Sequence, residues 1–129
     1  MVSTFLALIL AAAQAQAPEQ AGGWELLTRE AEDSAHYEPA SVRSEGGDRV
    51  SVRMRIDTGA PGTQGMTRMF TRQLYDCGDR TSAYLSVHSY DARGALTVSR
   101  EVTVAEAELE PIPADSVEAT LYARVCRAR

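Results

Sequence analysis

Two cysteines, Cys77 and Cys126, constrain the fold of this 129-residue chain more than any other feature. A disulfide between them would close a loop of about 50 residues and, by restricting the unfolded chain, would stabilise the fold by about 4 kcal/mol. That is a large share of the stability of a small domain, and the chain is long enough for only one such domain. Metal binding by the pair is the weaker alternative, because neither a Cys-x-x-Cys spacing nor a histidine cluster accompanies it.

The N-terminal segment decides which redox compartment these cysteines meet. Residues 5–13 form a short apolar run, and small residues alternate in the Gln-Ala-Gln-Ala sequence after it, as in a secretory signal peptide and its cleavage site. The run is about half the length of roughly 20 residues that a membrane anchor needs, and no cysteine for lipid attachment directly follows it. We therefore predict an exported protein, periplasmic or secreted and not lipid-anchored, whose cysteines form a disulfide. The predicted segments are a signal peptide at 1–15, with a cut after 17 as the alternative, a flexible lead-in at 16–23 and one domain at 24–129.

The charge distribution favours some partners over others. The net charge is −5, which argues against nucleic acid as the main partner. All 13 basic residues are arginine, a bias that follows either from genomic base composition or from selection for planar, bidentate ion pairs.

Strict alternation of polar and apolar residues from Arg49 to Ile56 predicts a strand with one buried face. Pro39 is expected to end an earlier strand, because proline cannot donate to a ladder. Turn-rich sequences separate the remaining apolar segments. The predicted strands are 23–28, 35–37, 49–56, 66–77, 81–90 and 95–104.

The C-terminal segment predicts a helix instead. Asp115 is a candidate N-cap, and Glu118 follows three residues later in an arrangement close to a capping box. Cys126 falls on the apolar stripe of this helix, so it is expected to face the sheet. We predict an α+β fold, in which one antiparallel sheet of five or six strands carries a C-terminal α-helix on one face, tied to it by the disulfide. The apolar stripe consists of Val117, Leu121, Tyr122 and Val125.

Alternation along the strands also predicts what lies on the face of the sheet away from the helix. That face would combine arginines with aromatic residues and a histidine, a composition typical of binding surfaces. The alternative is a solvated face whose arginines pair with acids of the same chain, and a β-bulge would redistribute these residues between the faces. The candidate binding residues are Arg49, Arg53, Arg55, Arg68, Phe70, Arg72, Tyr84, His88 and Tyr90.

The two histidines, His36 and His88, are the starting point for an enzymatic interpretation. Serine and aspartate lie near each of them in sequence, but no Gly-x-Ser-x-Gly motif is present, and a triad is defined by geometry rather than proximity in sequence. We predict no catalytic residue, no metal site and no cofactor.

Several short motifs occur in a specific order from Trp24 to Cys126. They are Trp24 at the first strand, Tyr-Glu-Pro-Ala-Ser-Val at 37–42, Val-x-Val at 50–52, Tyr-Asp-Cys at 75–77, Tyr90 with Gly94, Ile-Pro at 112–113 with Ser116, and Val-Cys at 125–126. This order resembles the surface-adhesin protein E-like domains of bacteria, which tend to have Tyr-Asp-Pro-x-Ser-Ile at the second motif. The resemblance implies an antiparallel sheet, a C-terminal helix tied to it by the two cysteines, and a secreted or surface location. The named member of that family is an adhesin for host extracellular-matrix proteins.

These observations predict an exported, non-catalytic binding module that contacts a protein or an acidic polymer through the arginine and aromatic residues of the sheet. The partner would be a protein ligand or a component of the cell envelope, with a homodimer as one arrangement. The alternatives are a structural or accessory subunit of an envelope assembly and, more remotely, a hydrolase of unrecognised type.

Overall fold

Six strands lie side by side in the sheet in the same order as they occur in the chain. The structure is a computed structural model that describes residues 23–127. Each strand is antiparallel to its neighbours, and a seventh strand of two residues pairs with the start of the fifth. The elements are β1 (Glu25–Glu30), β2 (Asp33–Gly46), β3 (Arg49–Asp57), a 3-10 turn (Thr63–Gly65), β4 (Met66–Asp76), β5 (Thr81–Asp91), β6 (Leu96–Glu101), β7 (Glu110–Pro111) and α1 (Val117–Arg127).

The predicted α+β architecture is confirmed, with α1 packed on one face of the sheet. Leu121 and Val125 of the helix are buried against a core whose sheet residues come mainly from β2 and β3. The predicted disulfide joins Cys77 to Cys126 across a Cα–Cα distance of 5.5 Å. The helix is therefore held to the sheet both by apolar burial and by a covalent bond. The principal core contains Leu27, Ala35, Tyr37, Val50, Val52, Met54, Tyr75, Leu121 and Val125.

The second strand continues past Pro39, although the sequence predicted that it would end there. The β2–β3 register shifts between Glu38 and Arg43, so Pro39 lies where the regular ladder is interrupted and no N–H is needed. Ser41 replaces part of the missing ladder. Its hydroxyl donates to the carbonyl oxygen of Glu38 at 2.6 Å and accepts the backbone N–H of Arg53 at 2.8 Å.

Two predicted boundaries near the C-terminus are also wrong. The strand predicted for 95–104 is β6, which ends at Glu101. A side-chain turn follows it, in which the Glu106 carboxylate accepts the N–H of Thr103 at 3.0 Å and its hydroxyl at 2.8 Å. The helix N-cap is Ser116 rather than Asp115, because the Ser116 hydroxyl accepts the N–H of Ala119 at 3.1 Å. Asp115 has a φ of +57°, in the left-handed region.

The predicted signal peptide and most of the lead-in lie outside the described residues and remain predictions. Within residues 23–127, no helix has both the length and the apolar character required to cross a membrane.

Candidate functional site

The face of the sheet opposite α1, called the outer face here, carries most of the predicted binding residues. In the register of the three central strands, Arg55 lies opposite Phe70, and Phe70 lies opposite His88. The neighbouring rows place Arg53 opposite Arg72 and Arg68 opposite Tyr90. Eight of the nine predicted residues share this face: Arg49, Arg53, Arg55, Arg68, Phe70, Arg72, His88 and Tyr90.

The ninth residue, Tyr84, lies on the other side of the sheet, so its predicted placement is wrong. The register of β4 and β5 pairs Gln73 with Tyr84 but Arg72 with Ser86, which leaves Leu85 as the extra residue of a β-bulge. The bulge reverses the alternation for the first part of β5. The Tyr84 hydroxyl therefore donates to the Glu118 carboxylate of α1 at 2.9 Å.

Trp24 forms one end of an aromatic row on the outer face. The guanidinium carbons of Arg53 and Arg55 lie 5.2 and 5.3 Å from the centroid of its ring, within the range of cation–π contacts. The Trp24 ring lies 5.9 Å from Phe70, and Phe70 meets Tyr90 edge-on at the same distance. Phe70 is only 4% exposed, so it supports the row from below and offers little surface to a ligand.

Most arginines of the outer face have an acidic partner on the same face. Arg53 pairs with Glu38 at 3.2 Å, and Arg49 pairs with Asp76 at 3.6 Å. The Asp57 carboxylate accepts from both Arg55 and Arg68, one on each of its oxygens. The outer face is thus a network of paired charges and not a free cationic surface.

Arg72 belongs to a more deeply buried part of this network. Its guanidinium donates to the Ser51 hydroxyl at 2.8 Å, and Ser51 in turn donates to the Glu45 carboxylate at 2.6 Å. Burial lowers the pKa of Arg72, and the nearby guanidiniums of Arg43 and Arg53 lower it further. Its hydrogen bonds hold the strands together, so it contributes to the scaffold more than to an exposed contact surface.

The histidines are too far apart to act together. His36 pairs with Arg55 in the register, Arg55 with Phe70, and Phe70 with His88. Three strand spacings separate the two rings by about 14 Å. Burial lowers the pKa of His36, and the guanidinium of Arg55, 3.3 Å from its Nδ1, lowers it further. Residues 23–127 contain no group of three or more His, Cys, Asp or Glu side chains arranged to hold a metal.

One end of the outer face is concave. This depression, called the outer cleft, has a volume of about 390 Å³; Tyr90 forms part of its wall, and the buried Phe70 ring lies beneath it. Arg68 and Asp57 line another part of it, and the hairpin loop after β5 closes one side. Three predicted binding residues, Arg68, Phe70 and Tyr90, therefore meet at a single concave site.

Sequence reasoning missed two residues of this surface. They are Trp24 and Asp57, neither of which is among the candidate binding residues predicted from the sequence. The alternation that predicts the outer face ends at Ile56 in the sequence pattern, whereas β3 continues by one position and places Asp57 on that face. No sequence pattern indicated Trp24, because the β1–β2 pairing contains a register shift between Leu26 and Thr28.

Comparisons with known proteins agree with this fold. The family model described as surface-adhesin protein E matches residues 24–127. The crystal form II structure of Haemophilus influenzae protein E matches with a TM-score of 0.55 at 9% sequence identity, over 84% of this chain and 90% of that chain. At that identity the structural likeness concerns the fold alone. No curated protein matches the chain.

Proposed function

This chain belongs to the surface-adhesin protein E family, and from this premise we propose that it is a non-catalytic binding module that holds a protein ligand at the outer cleft. Family membership supports an exported or surface protein with an adhesin-like role. The ligand is a host protein or a component of the envelope. The observation that carries the choice of site is the meeting of Arg68, Phe70 and Tyr90 around one concavity.

We further propose that the protein is periplasmic or secreted and carries no lipid anchor. The Cys77–Cys126 disulfide supports an oxidising compartment, and the apolar run at 5–13 supports a signal peptide with cleavage after 15 or 17. Cell fractionation with mass spectrometry of the intact protein tests both points. The expected product lacks the first 15 or 17 residues, carries no lipid and has the mass deficit of two hydrogens. A full-length cytoplasmic product with two free thiols would contradict the proposal.

The outer cleft combines the features that protein-binding sites use. Tyr90 offers an aromatic ring, and Arg68 offers a guanidinium whose side chain is 46% exposed. The Phe70 ring, buried beneath them, holds Tyr90 in an edge-on arrangement. A ligand side chain that enters the cleft would meet apolar and charged groups together, which provides both affinity and orientation.

The charge pattern favours a protein over an acidic polymer as the ligand. A polyanion would have to compete for arginines that already pair with Glu38, Asp57 and Asp76. A protein ligand can instead contribute apolar and hydrogen-bonding groups to the cleft without displacing those carboxylates. A second copy of the chain is one ligand of this class.

Retention of the mature protein on two surfaces tests this proposal. One surface is coated with extracellular-matrix proteins and the other with an envelope fraction of the producing cell. The variants Arg68→Gln and Tyr90→Ala should each weaken retention at least about fivefold on the surface that carries the ligand, because each removes a central contact. The surface that responds distinguishes a host ligand from an envelope ligand.

Arg49→Gln is the matched control for Arg68→Gln. Both arginines lie on the outer face, pair with an aspartate and have similarly exposed side chains, 41% for Arg49 and 46% for Arg68. Arg49 lies opposite Asp76, at the other end of the β3–β4 pair from the outer cleft. Retention that falls equally in both variants, or in neither, would remove the outer cleft as the binding site. Light scattering on the same samples reports whether a second copy is the ligand.

A further inference from the structure

A second concavity lies on the helix side of the sheet, away from the outer cleft. It has a volume of about 560 Å³ and is called the acidic groove here. Gln73 and Tyr84 of the central strands form part of its floor, and the first turn of α1 contributes Glu118. The segment that leads from β6 through β7 to the helix forms its opposite wall.

The groove is lined by four glutamates and a single arginine, Arg100. The Glu118 carboxylate is oriented by the hydroxyl of Tyr84 at 2.9 Å. Hydrogen bonds from Thr103 hold the Glu106 carboxylate in place and lower its pKa, so it stays ionised at neutral pH. Within residues 23–127, none of the four carboxylates has an ion-pair partner, unlike the acids of the outer face. The other two glutamates of the groove are Glu108 and Glu110.

A buried side chain in the floor of the groove provides an independent observation. Gln73 is 1% exposed, and its Oε1 atom accepts no hydrogen bond from any residue that the structure describes. A buried carbonyl oxygen without a donor is unfavourable for the fold unless something supplies the missing hydrogen bond. Gln73 lines the groove, so a ligand that enters the groove with an N–H group can supply it.

We propose that the acidic groove binds a basic, extended segment of a partner protein. Its arginine or lysine side chains pair with the groove's glutamates, which have no ion-pair partner among the described residues, and an N–H group of the segment donates to the Gln73 Oε1 atom. The volume of the groove is in the range of sites that enclose several ligand groups at once. The net charge of the lining, four carboxylates against one guanidinium, selects a cationic ligand. This site is on the opposite face of the sheet from the outer cleft, so the two can be tested separately.

Fluorescence anisotropy of a labelled arginine octapeptide with the mature protein, at low ionic strength, tests the proposal. Glu110→Gln should weaken binding because it removes one of the attracting charges, and Arg100→Gln should strengthen it because it removes the like charge. Gln73→Leu should weaken binding at least about tenfold through loss of the acceptor. The same variant should leave the thermal midpoint unchanged or raise it, because it also removes an unsatisfied buried oxygen. If the role of Gln73 is purely structural, Gln73→Leu should instead leave peptide binding unchanged and lower the thermal midpoint.

Glu25→Gln is the control for the general effect of charge, since Glu25 is exposed on β1 and does not line the groove. Gln73→Met is the second variant at the buried position, in case leucine does not fit. Equal weakening by Glu110→Gln and Glu25→Gln would overturn the proposal, as would unchanged binding in both Gln73 variants. Spermidine that displaces the peptide at equal affinity would overturn the assignment to a protein segment and indicate a small polycation instead. Absence of binding to the peptide would overturn the site altogether.

Discussion

The hydroxyl group of Tyr122 donates a hydrogen bond to the backbone carbonyl oxygen of Cys77 at 2.8 Å. Tyr122 lies four residues before Cys126 in α1, so the hydrogen bond and the disulfide join the same two elements. The ring of Tyr122 also contacts Tyr75, at 5.9 Å between centroids, and the guanidinium of Arg80, at 5.1 Å. The end of β4 is therefore attached to the helix by a covalent bond, a hydrogen bond and ring contacts.

Loss of the disulfide should lower the free energy of unfolding by about 4 kcal/mol, since the bond closes a loop of 49 positions. The double variant Cys77→Ser/Cys126→Ser is expected to remain folded at low temperature, because Leu121 and Val125 stay buried. Urea unfolding measures the loss. The oxidised wild-type protein and its reduced form serve as the reference pair, and a reduced form as stable as the oxidised one would contradict the expectation.

The Tyr122→Phe variant should lower the free energy of unfolding by about 1 kcal/mol, because it removes the hydrogen-bond donor to the Cys77 carbonyl oxygen while the ring contacts remain. The cost should persist in the background of the double cysteine variant, since the hydrogen bond acts through the folded state and the disulfide mainly through the unfolded state. Urea unfolding of the four proteins completes the cycle. If Tyr122→Phe has no effect on stability once the disulfide is removed, the disulfide alone positions the helix.

Ser41→Ala should destabilise the fold by about 1–3 kcal/mol, because the N–H of Arg53 loses its acceptor where the ladder is interrupted. Ser44→Ala is a suitable control. The Ser44 hydroxyl accepts the N–H of Gly46 at 3.3 Å at the exposed end of β2, where water can replace it. Equal costs for the two variants in thermal unfolding would mean that Ser41 does not substitute for the ladder at Pro39.

Tyr84 gives the fold a dependence on alkaline pH. Burial raises its pKa from 10.0 to about 12, and the adjacent carboxylate of Glu118 contributes. Because the pKa is higher in the folded state than in the unfolded state, the stabilisation is fully present below pH 10 and is lost as the pH rises toward 12. Titration of the tyrosinate absorbance should show Tyr84 ionising late. Glu118→Gln should lower the pKa of Tyr84 part of the way toward 10.0, since the burial remains. An unchanged titration of Tyr84 would show that Glu118 does not contribute.

Trp24→Leu should lower the free energy of unfolding by about 1–2 kcal/mol, through loss of the ring contact with Phe70 and of the cation–π contacts with Arg53 and Arg55. Leu26→Ala, at an exposed position two residues further along in β1, is expected to lower the free energy of unfolding much less. Unfolding followed by circular dichroism suits this comparison, since Trp24 is the only tryptophan in the chain. If both variants cost the same, the aromatic row does not stabilise the outer face.

The parts of the fold that depend on unbroken periodicity could be predicted from the sequence. Residues 49–56 alternate without interruption, and β3 occupies Arg49–Asp57 with Val52 and Met54 fully buried. The apolar stripe of α1 likewise predicted that Leu121 and Val125 would be buried. In both cases a single repeating pattern fixes which side chains face the core.

The errors occur where one residue breaks the repeat or where a side chain replaces a backbone bond. Leu85 is an extra residue opposite β4, and this alone moved Tyr84 to the helix side. The sequence predicts that a strand ends at Pro39, because nothing in the pattern shows that Ser41 completes the hydrogen bonding around it. The pairing of Arg68 with Asp57 depends on the register between β3 and β4, which no local pattern specifies.

The order of strands in the sheet has a consequence for how the chain acquires its structure. Because β1 to β6 follow one another in sequence and in space, each hairpin can form as soon as its second strand is available, without waiting for distant segments. The helix, which packs on β1, β2 and β3, has to return over a long stretch of chain. Molecules in which the six strands have formed but the helix has not yet packed expose an apolar face of the sheet. Formation of the disulfide would hold the helix on that face and so shorten the time in which such molecules can aggregate.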